Sequence, residues 1–111
     1  MMETSIKKKI QLKIGITLQK IIQMKKAGSD EDHKIIKSLR NLAATSGIEY
    51  ALIQKISNSS KNPALTTLVG IADAFNMKMA EFFEVFDGIT ENEIIEATKK
   101  LEDKKKSARE K

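Results

Sequence analysis

One short stretch of the chain concentrates side chains that could bind a metal ion. The only histidine, His33, follows Asp30, Glu31 and Asp32, and an imidazole beside carboxylates could ligate a divalent cation. A transition-metal site usually needs a second nitrogen or sulfur ligand, and the chain has no cysteine. Acidic residues are also typical of a solvated helix N-terminus. Because the sequence has no P-loop, nucleophile elbow or HExxH motif either, we predict no catalytic residues, no metal site, no cofactor and no enzymatic activity.

The composition indicates one all-α domain. The 111 residues suffice for a single core, and one proline, five glycines and 5% aromatic residues argue against a sheet. A net charge of +5 favours anionic partners. The lack of cysteine predicts a reducing, cytoplasmic location. No apolar run approaches the roughly 18 residues of a membrane span, so we predict no membrane partner.

Two short amphipathic segments meet at Gly47. Apolar residues at helical spacing end with Leu42 and Ala43, and polar residues precede the glycine. A second apolar set then begins at once: Ile48, Leu52, Ile53 and Ile56. A glycine at the end of a helix accommodates the positive φ of a sharp turn. The pattern therefore predicts helix, tight turn and helix, with the second helix at about 49–57.

This unit resembles the Cro/cI (XRE) phage-repressor class of helix-turn-helix DNA-binding proteins. The resemblance rests on Leu42-Ala43, Gly47-Ile48, Ile53, Ile56 and Asn62-Pro63, and it continues through Leu65, Leu68, Ile71-Ala72, Phe75, Met79 and Phe82-Phe83. Upstream, the residues similar to the first helix of the class are Lys13-Ile14-Gly15, Leu18 and Ile21. The resemblance implies a five-helix repressor-like bundle. It also implies a sequence-specific transcriptional regulator that binds double-stranded DNA as a homodimer.

The resemblance further implies which residues contact DNA. The implied base contacts are Tyr50, Ala51, Gln54 and Lys55. The implied contacts to the DNA backbone are Arg40, Asn58, Ser59, Ser60, Lys61 and Asn62. A lysine can donate to guanine O6 and N7, an alanine can touch a thymine methyl, and small polar groups suit phosphate oxygens.

The chain departs from the class in its length. We expect a helix-turn-helix domain at 6–88, an insertion at about 27–37, an additional C-terminal helix at 89–103 and a basic, disordered tail at 104–111. The first helix, predicted at 6–26, is longer than the class requires. Its extra apolar residues, which are Ile6, Ile10 and Leu12, need cover from the C-terminal helix or from a second subunit.

The start of the second helix has two interpretations. Ser29 and Asp30 are good N-caps, and Ile35 and Ile36 continue the apolar stripe of the second helix. We favour this early start, in which the acidic insert extends helix 2. The alternative is a loop that ends with Ser38 as the cap, an arrangement closer to the class.

A further helix is predicted at 64–75. Its core stripe is predicted to be Leu65, Leu68, Val69, Ala72 and Phe75. Gly70 inside this helix indicates close packing, and Asn76 tolerates a left-handed turn after it.

A second function remains open. Between Ser38 and Lys61 the only cations are Arg40, Lys55 and Lys61, and most of the positive charge lies in the first helix and the tail. The chain could instead be an antitoxin-like or scaffolding protein that binds a protein partner, such as a toxin or another regulator. Exposed apolar residues on the first and last helices would favour this alternative, and a continuous basic face around Tyr50 and Lys55 would favour DNA.

Overall fold

The structure, a computed structural model, describes the backbone of residues 2–28, 36 and 38–109 and the side chains of 6–26, 36 and 38–103. These residues form six α-helices and no β-strand. The helices are α1 (Met2–Gly28), α2 (Leu39–Ser46), α3 (Tyr50–Ser57), α4 (Leu65–Ala74), α5 (Met79–Asp87) and α6 (Glu91–Arg109). The predicted all-α fold is confirmed, with five helices of a repressor-like bundle followed by one more. None of the helices in the described ranges has both the length and the hydropathy needed to span a membrane.

The buried face of α1 lies at the centre of the main core. Leu18 and Ile21 are buried in one cluster with Ile53 and Ile56 of α3 and with Phe82 of α5. Burying a side chain of this size contributes about 1.5–3 kcal/mol. Because both buried isoleucines of α3 belong to this cluster, the core determines which face of α3 turns outward.

The last helix covers part of the extra length of α1. Leu12 is buried in a second small cluster with Ile89 and Ile94, against which Leu101 packs. Two ion pairs join the same helices, namely Lys9–Glu91 and Lys20–Glu93. The cover for Leu12 is therefore intramolecular, whereas Ile6 and Ile10 remain exposed.

An exposed apolar groove lies where α1, α4 and α5 meet. Ile10, Leu65 and Phe83 line this cavity of about 300 Å³, together with Asn62 and Pro63. We call it the α1–α4–α5 groove.

The predicted core stripe of α4 is wrong at two positions. Leu65 is 66% exposed and Val69 is 45% exposed. The buried residues at this end of the core are Leu68, Ile71, Ala72 and Phe75. The buried face is thus turned by about one residue from the predicted stripe, which places Leu65 at the edge of the α1–α4–α5 groove.

Two predicted boundaries are also wrong. Helix α2 begins at Leu39, not near Asp30, because Ser38 has an extended backbone and caps the helix. The acidic residues of the insert, with His33, lie outside the described residues. The second wrong boundary is the start of the predicted disordered tail. Helix α6 continues through 104–109, and the lysines, alanine and arginine of this run are good helix formers.

Candidate nucleic-acid interface

The turn between α2 and α3 sets the direction in which α3 leaves the core. Ser38 Oγ accepts a hydrogen bond of 3.1 Å from the Asn41 N–H at the start of α2. At the other end, Gly47 has φ +75°, and its N–H donates to Ala43 O at 3.0 Å. This left-handed conformation is strained for a residue with a Cβ. The predicted helix, turn and helix with Gly47 at the turn is confirmed.

The two faces of α3 differ sharply in exposure. Ile53 and Ile56 are fully buried. The outward side presents the four predicted base contacts, with Ala51, Gln54 and Lys55 exposed and Tyr50 partly buried. The fold therefore brings these four side chains together on one exposed helix of eight residues.

Side-chain contacts hold part of this face in place. The guanidinium of Arg40 lies over the Tyr50 ring, with Cζ 4.4 Å from the ring centroid. One helical turn further on, Gln54 Nε2 donates to Tyr50 Oη at 3.2 Å. A cation over an aromatic face is worth about 0.5–1 kcal/mol at exposed sites. Arg40 of α2 and Gln54 of α3 thus restrict the Tyr50 ring, which leaves its hydroxyl free to donate to a phosphate or base.

The segment between α3 and α4 supplies most of the predicted backbone contacts. Asn58, Lys61 and Asn62 are exposed. Ser60 is exposed as well, but its N–H and its hydroxyl both donate to Lys55 O, at 2.9 and 3.1 Å. Ser60 therefore closes the end of α3, and its hydroxyl would have to leave Lys55 O before donating to a phosphate.

Ser59 does not belong to this surface. It is only 4% exposed, and its N–H donates to Ile56 O at 3.1 Å. Its hydroxyl faces α1, where a Cβ added at Gly15 would lie 2.7 Å from Ser59 Oγ. Ser59 was among the predicted contacts to the DNA backbone, but its side chain is buried against α1 and is not presented to DNA in this structure.

Helix α1 contacts the end of α3 and the segment that follows it. Lys8 Nζ donates to Ser59 O at 3.3 Å, and Gln19 Nε2 donates to Ser57 O at 3.3 Å. Gly15 permits this close approach, since a Cβ there would lie 2.7 Å from Ser57 O. The sequence pattern predicts no role for Lys8 or Gln19, and Gly15 stands out only through its resemblance to the first helix of the class. A glycine inside the apolar pattern of a helix was the one available signal.

Gly70 shows the opposite situation. A Cβ added at Gly70 would meet only Ile48 Cδ1, at 3.7 Å, which is an ordinary van der Waals distance. The predicted close packing at Gly70 is therefore wrong.

The surface around α3 carries few charged side chains. Among the described residues, neither Lys55 nor Lys61 has an ion-pair partner, and both are exposed. Glu49 precedes α3 at its N-cap position without a side-chain capping bond. The surface has the donors that DNA recognition needs, but residues 38–62 carry only three cations against one carboxylate.

This arrangement defines a helix-turn-helix: a capped helix, a glycine turn and a second helix whose outer face is free. A model of the Cro/C1-type helix-turn-helix DNA-binding domain family matches residues 31–88. The chain therefore belongs to this family, as its sequence resemblance predicted, and the matched region includes α2 to α5. No curated protein and no solved structure matches the chain significantly.

Proposed function

We propose that this protein regulates transcription in the cytoplasm by binding a specific sequence of double-stranded DNA as a homodimer. The observation that carries the proposal is the exposed face of α3, held outward by the burial of Ile53 and Ile56. The major groove of B-DNA is wide enough for one α-helix. A helix presented in this way can place a few side chains against base edges.

The residues of this surface would have distinct roles. Lys55 would donate to guanine O6 and N7, Ala51 would contact a thymine methyl, and Tyr50 and Gln54 would bind as a hydrogen-bonded pair. The contacts to phosphates would come from exposed side chains in α2 and after α3, which are Arg40, Asn58, Ser60, Lys61 and Asn62.

The homodimer is supported by the small size of α3 and by the α1–α4–α5 groove. One helix of eight residues reads few base pairs, and repressor-like domains gain specificity when two copies bind half-sites one DNA turn apart. The groove is lined by Asn62, which is itself a proposed phosphate contact, and by the adjacent Pro63. A second copy seated there would bring the two DNA-binding surfaces close together.

Selection from randomised duplexes tests the proposal. Purified protein is incubated at low salt with a pool of duplexes, and the bound fraction is sequenced. We expect an enriched motif with inverted-repeat symmetry, and weaker enrichment by a Lys55→Ala variant. A wild-type protein that enriches no motif and binds no better than this variant would contradict the proposal.

A protein-interaction role is the second candidate. It is favoured by the exposure of Ile6 and Ile10 on α1 and of Ile95 on α6. These helices are the ones on which exposed apolar residues would indicate a protein partner. If the selection enriches no motif, an antitoxin-like or scaffolding role becomes the better explanation of the fold.

A further inference from the structure

The basic charge of this chain is concentrated away from the helix-turn-helix. Residues 38–62 contain three basic residues and one acidic residue, whereas 99–109 contain six basic residues and two acidic ones. The end of α6 thus carries a net charge of +4 against +2 for the longer helix-turn-helix segment. Affinity for DNA of any sequence comes mainly from neutralising phosphates. The helix-turn-helix alone therefore contributes little of this sequence-independent affinity for DNA.

One cavity lies between the start of the basic half of α6 and the residue that follows α3. Lys100 and Leu101 line the same cavity, of about 470 Å³, as Gln23 of α1 and Asn58. Asn58 is the first of the proposed phosphate contacts after α3. The Lys20–Glu93 ion pair and the Ile94 cluster hold the first half of α6 on α1, so the position of the second half relative to Asn58 is set by the bundle.

The helix continues beyond this cavity. From Leu101, α6 runs on to Arg109, a rise of about 12 Å at about 1.5 Å per residue. This length is comparable to about three or four phosphates of one strand at 3.4 Å spacing. A helix of this length and charge fits a phosphate backbone better than it fits an apolar partner.

We propose that residues 99–109 of α6 bind the phosphate backbone of the DNA that flanks the site read by α3. The inference rests on the proposed function and adds a second DNA-binding element to it. In this arrangement, α3 supplies the sequence preference, and α6 supplies affinity that does not depend on sequence. The contact lies outside the base pairs that α3 reads, so it requires longer duplexes than the recognised motif.

The test measures affinity against salt for the full-length chain. The probes are two duplexes that carry the selected motif, one trimmed to the motif and one extended by ten base pairs on each side. The test variant is Lys99→Gln/Lys100→Gln/Lys104→Gln/Lys105→Gln, in which helix-compatible glutamines replace four charges. We expect wild-type protein to bind the extended duplex at least tenfold more tightly than the trimmed one at low salt. The variant should lose this preference, and its salt slope on the extended duplex should fall by about two units or more, at about 0.9 per phosphate contact.

Controls separate a local contact from a general effect of charge. Lys78→Gln removes one exposed charge at the start of α5, and it is compared with Lys100→Gln alone. The first should leave the salt slope unchanged, and the second should lower it by up to about one unit. Circular dichroism should show that the fourfold variant keeps its helix content, and its ratio of motif to scrambled DNA should be unchanged.

Three results would overturn the inference. An equal decrease in the salt slope for Lys78→Gln and Lys100→Gln would show that only the net charge of the protein matters, and not the position of the lysine on α6. An unchanged duplex-length preference in the fourfold variant, with Lys55→Ala still impairing motif binding, would refute the role of α6 and leave the proposed function intact. A wild-type protein that binds neither duplex would refute both, and binding of residues 99–109 to an acidic protein instead of DNA would then be the competing explanation.

Discussion

Gly15 of α1 and Ser59 of the α3–α4 segment lie so close that a Cβ on Gly15 would be 2.7 Å from Ser59 Oγ. The contact joins the first helix to the segment that follows the proposed recognition helix. Ser59 itself has φ +63°, a conformation uncommon for residues other than glycine. The chain thus accepts an unfavourable backbone conformation where α1 and α3 meet, and the absence of a side chain at position 15 makes the approach possible.

Gly15→Ala and Gly70→Ala form a matched pair that tests this contact. Both glycines lie inside helices, where alanine is favoured over glycine by about 1 kcal/mol. At Gly15 the added methyl would press on Ser57 O and Ser59 Oγ, so we expect a net destabilisation of about 1–3 kcal/mol. At Gly70 we expect a gain of up to about 1 kcal/mol. Urea unfolding of both variants measures the two free energies, and similar values would refute the close contact.

Gly47→Val tests the turn. Gly47 has open space around it, so a change in stability there reports backbone strain and not a clash. We expect valine to lower the free energy of unfolding by about 1–2 kcal/mol, because it is strained at positive φ. Gly47→Asn should lower the free energy of unfolding less, since asparagine tolerates this conformation. A melting temperature unchanged by valine would mean that the turn does not need its left-handed residue.

Local signals were sufficient to predict the helix-turn-helix. Gly47 was predicted to take a positive φ, and Asn76 to tolerate one, and both residues have it, at +75° and +58°. The buried isoleucines of α3, Ile53 and Ile56, follow from helical spacing alone. These features depend on residues within one or two turns of each other, which is the range over which sequence patterns carry direct information.

Contacts between distant segments could not be predicted in the same way. Helical periodicity shows which residues share a face, but not which part of that face another helix covers. The sequence pattern therefore predicts Leu65 and Val69 as core residues although they are exposed, and Ser59 as a surface residue although it is buried. The exposure of Leu65 and Val69 depends on how α4 packs against α2 and α5. The burial of Ser59 depends on how α1 packs, and residues in contact there are more than 40 positions apart in sequence.

Leu65→Glu and Ile95→Glu together test the proposed dimer. Both side chains are exposed and apolar, but only Leu65 lines the α1–α4–α5 groove. A carboxylate buried without a partner in an interface is strongly unfavourable. We expect Leu65→Glu to weaken self-association at least tenfold and Ile95→Glu to leave it unchanged, as measured by sedimentation or light scattering. A wild-type monomer at high micromolar concentration, with and without DNA, would remove the inverted-repeat arrangement.

Lys55→Ala and Lys61→Ala should separate base reading from phosphate binding. Lys55 is proposed to contact a base, so its loss should weaken binding to the preferred site by about 1–3 kcal/mol and relax preference at one base pair. Lys61 is proposed to contact phosphate, so its loss should weaken binding to all sequences alike and lower the salt slope by about one unit. Competition binding at several salt concentrations measures both effects, and identical behaviour of the two variants would contradict the division of roles.

The most direct test of base reading by α3 is a coupling measurement between Lys55 and guanine. Each guanine of the selected motif is replaced in turn by 7-deazaguanine, which lacks the N7 acceptor, and affinities are measured for wild-type protein and for Lys55→Ala. We expect one such substitution to weaken binding of the wild-type protein but to have little further effect on the variant, with a coupling free energy of about 1 kcal/mol or more. Additive effects at every guanine of the motif would contradict the proposal that Lys55 reads a guanine edge in the major groove.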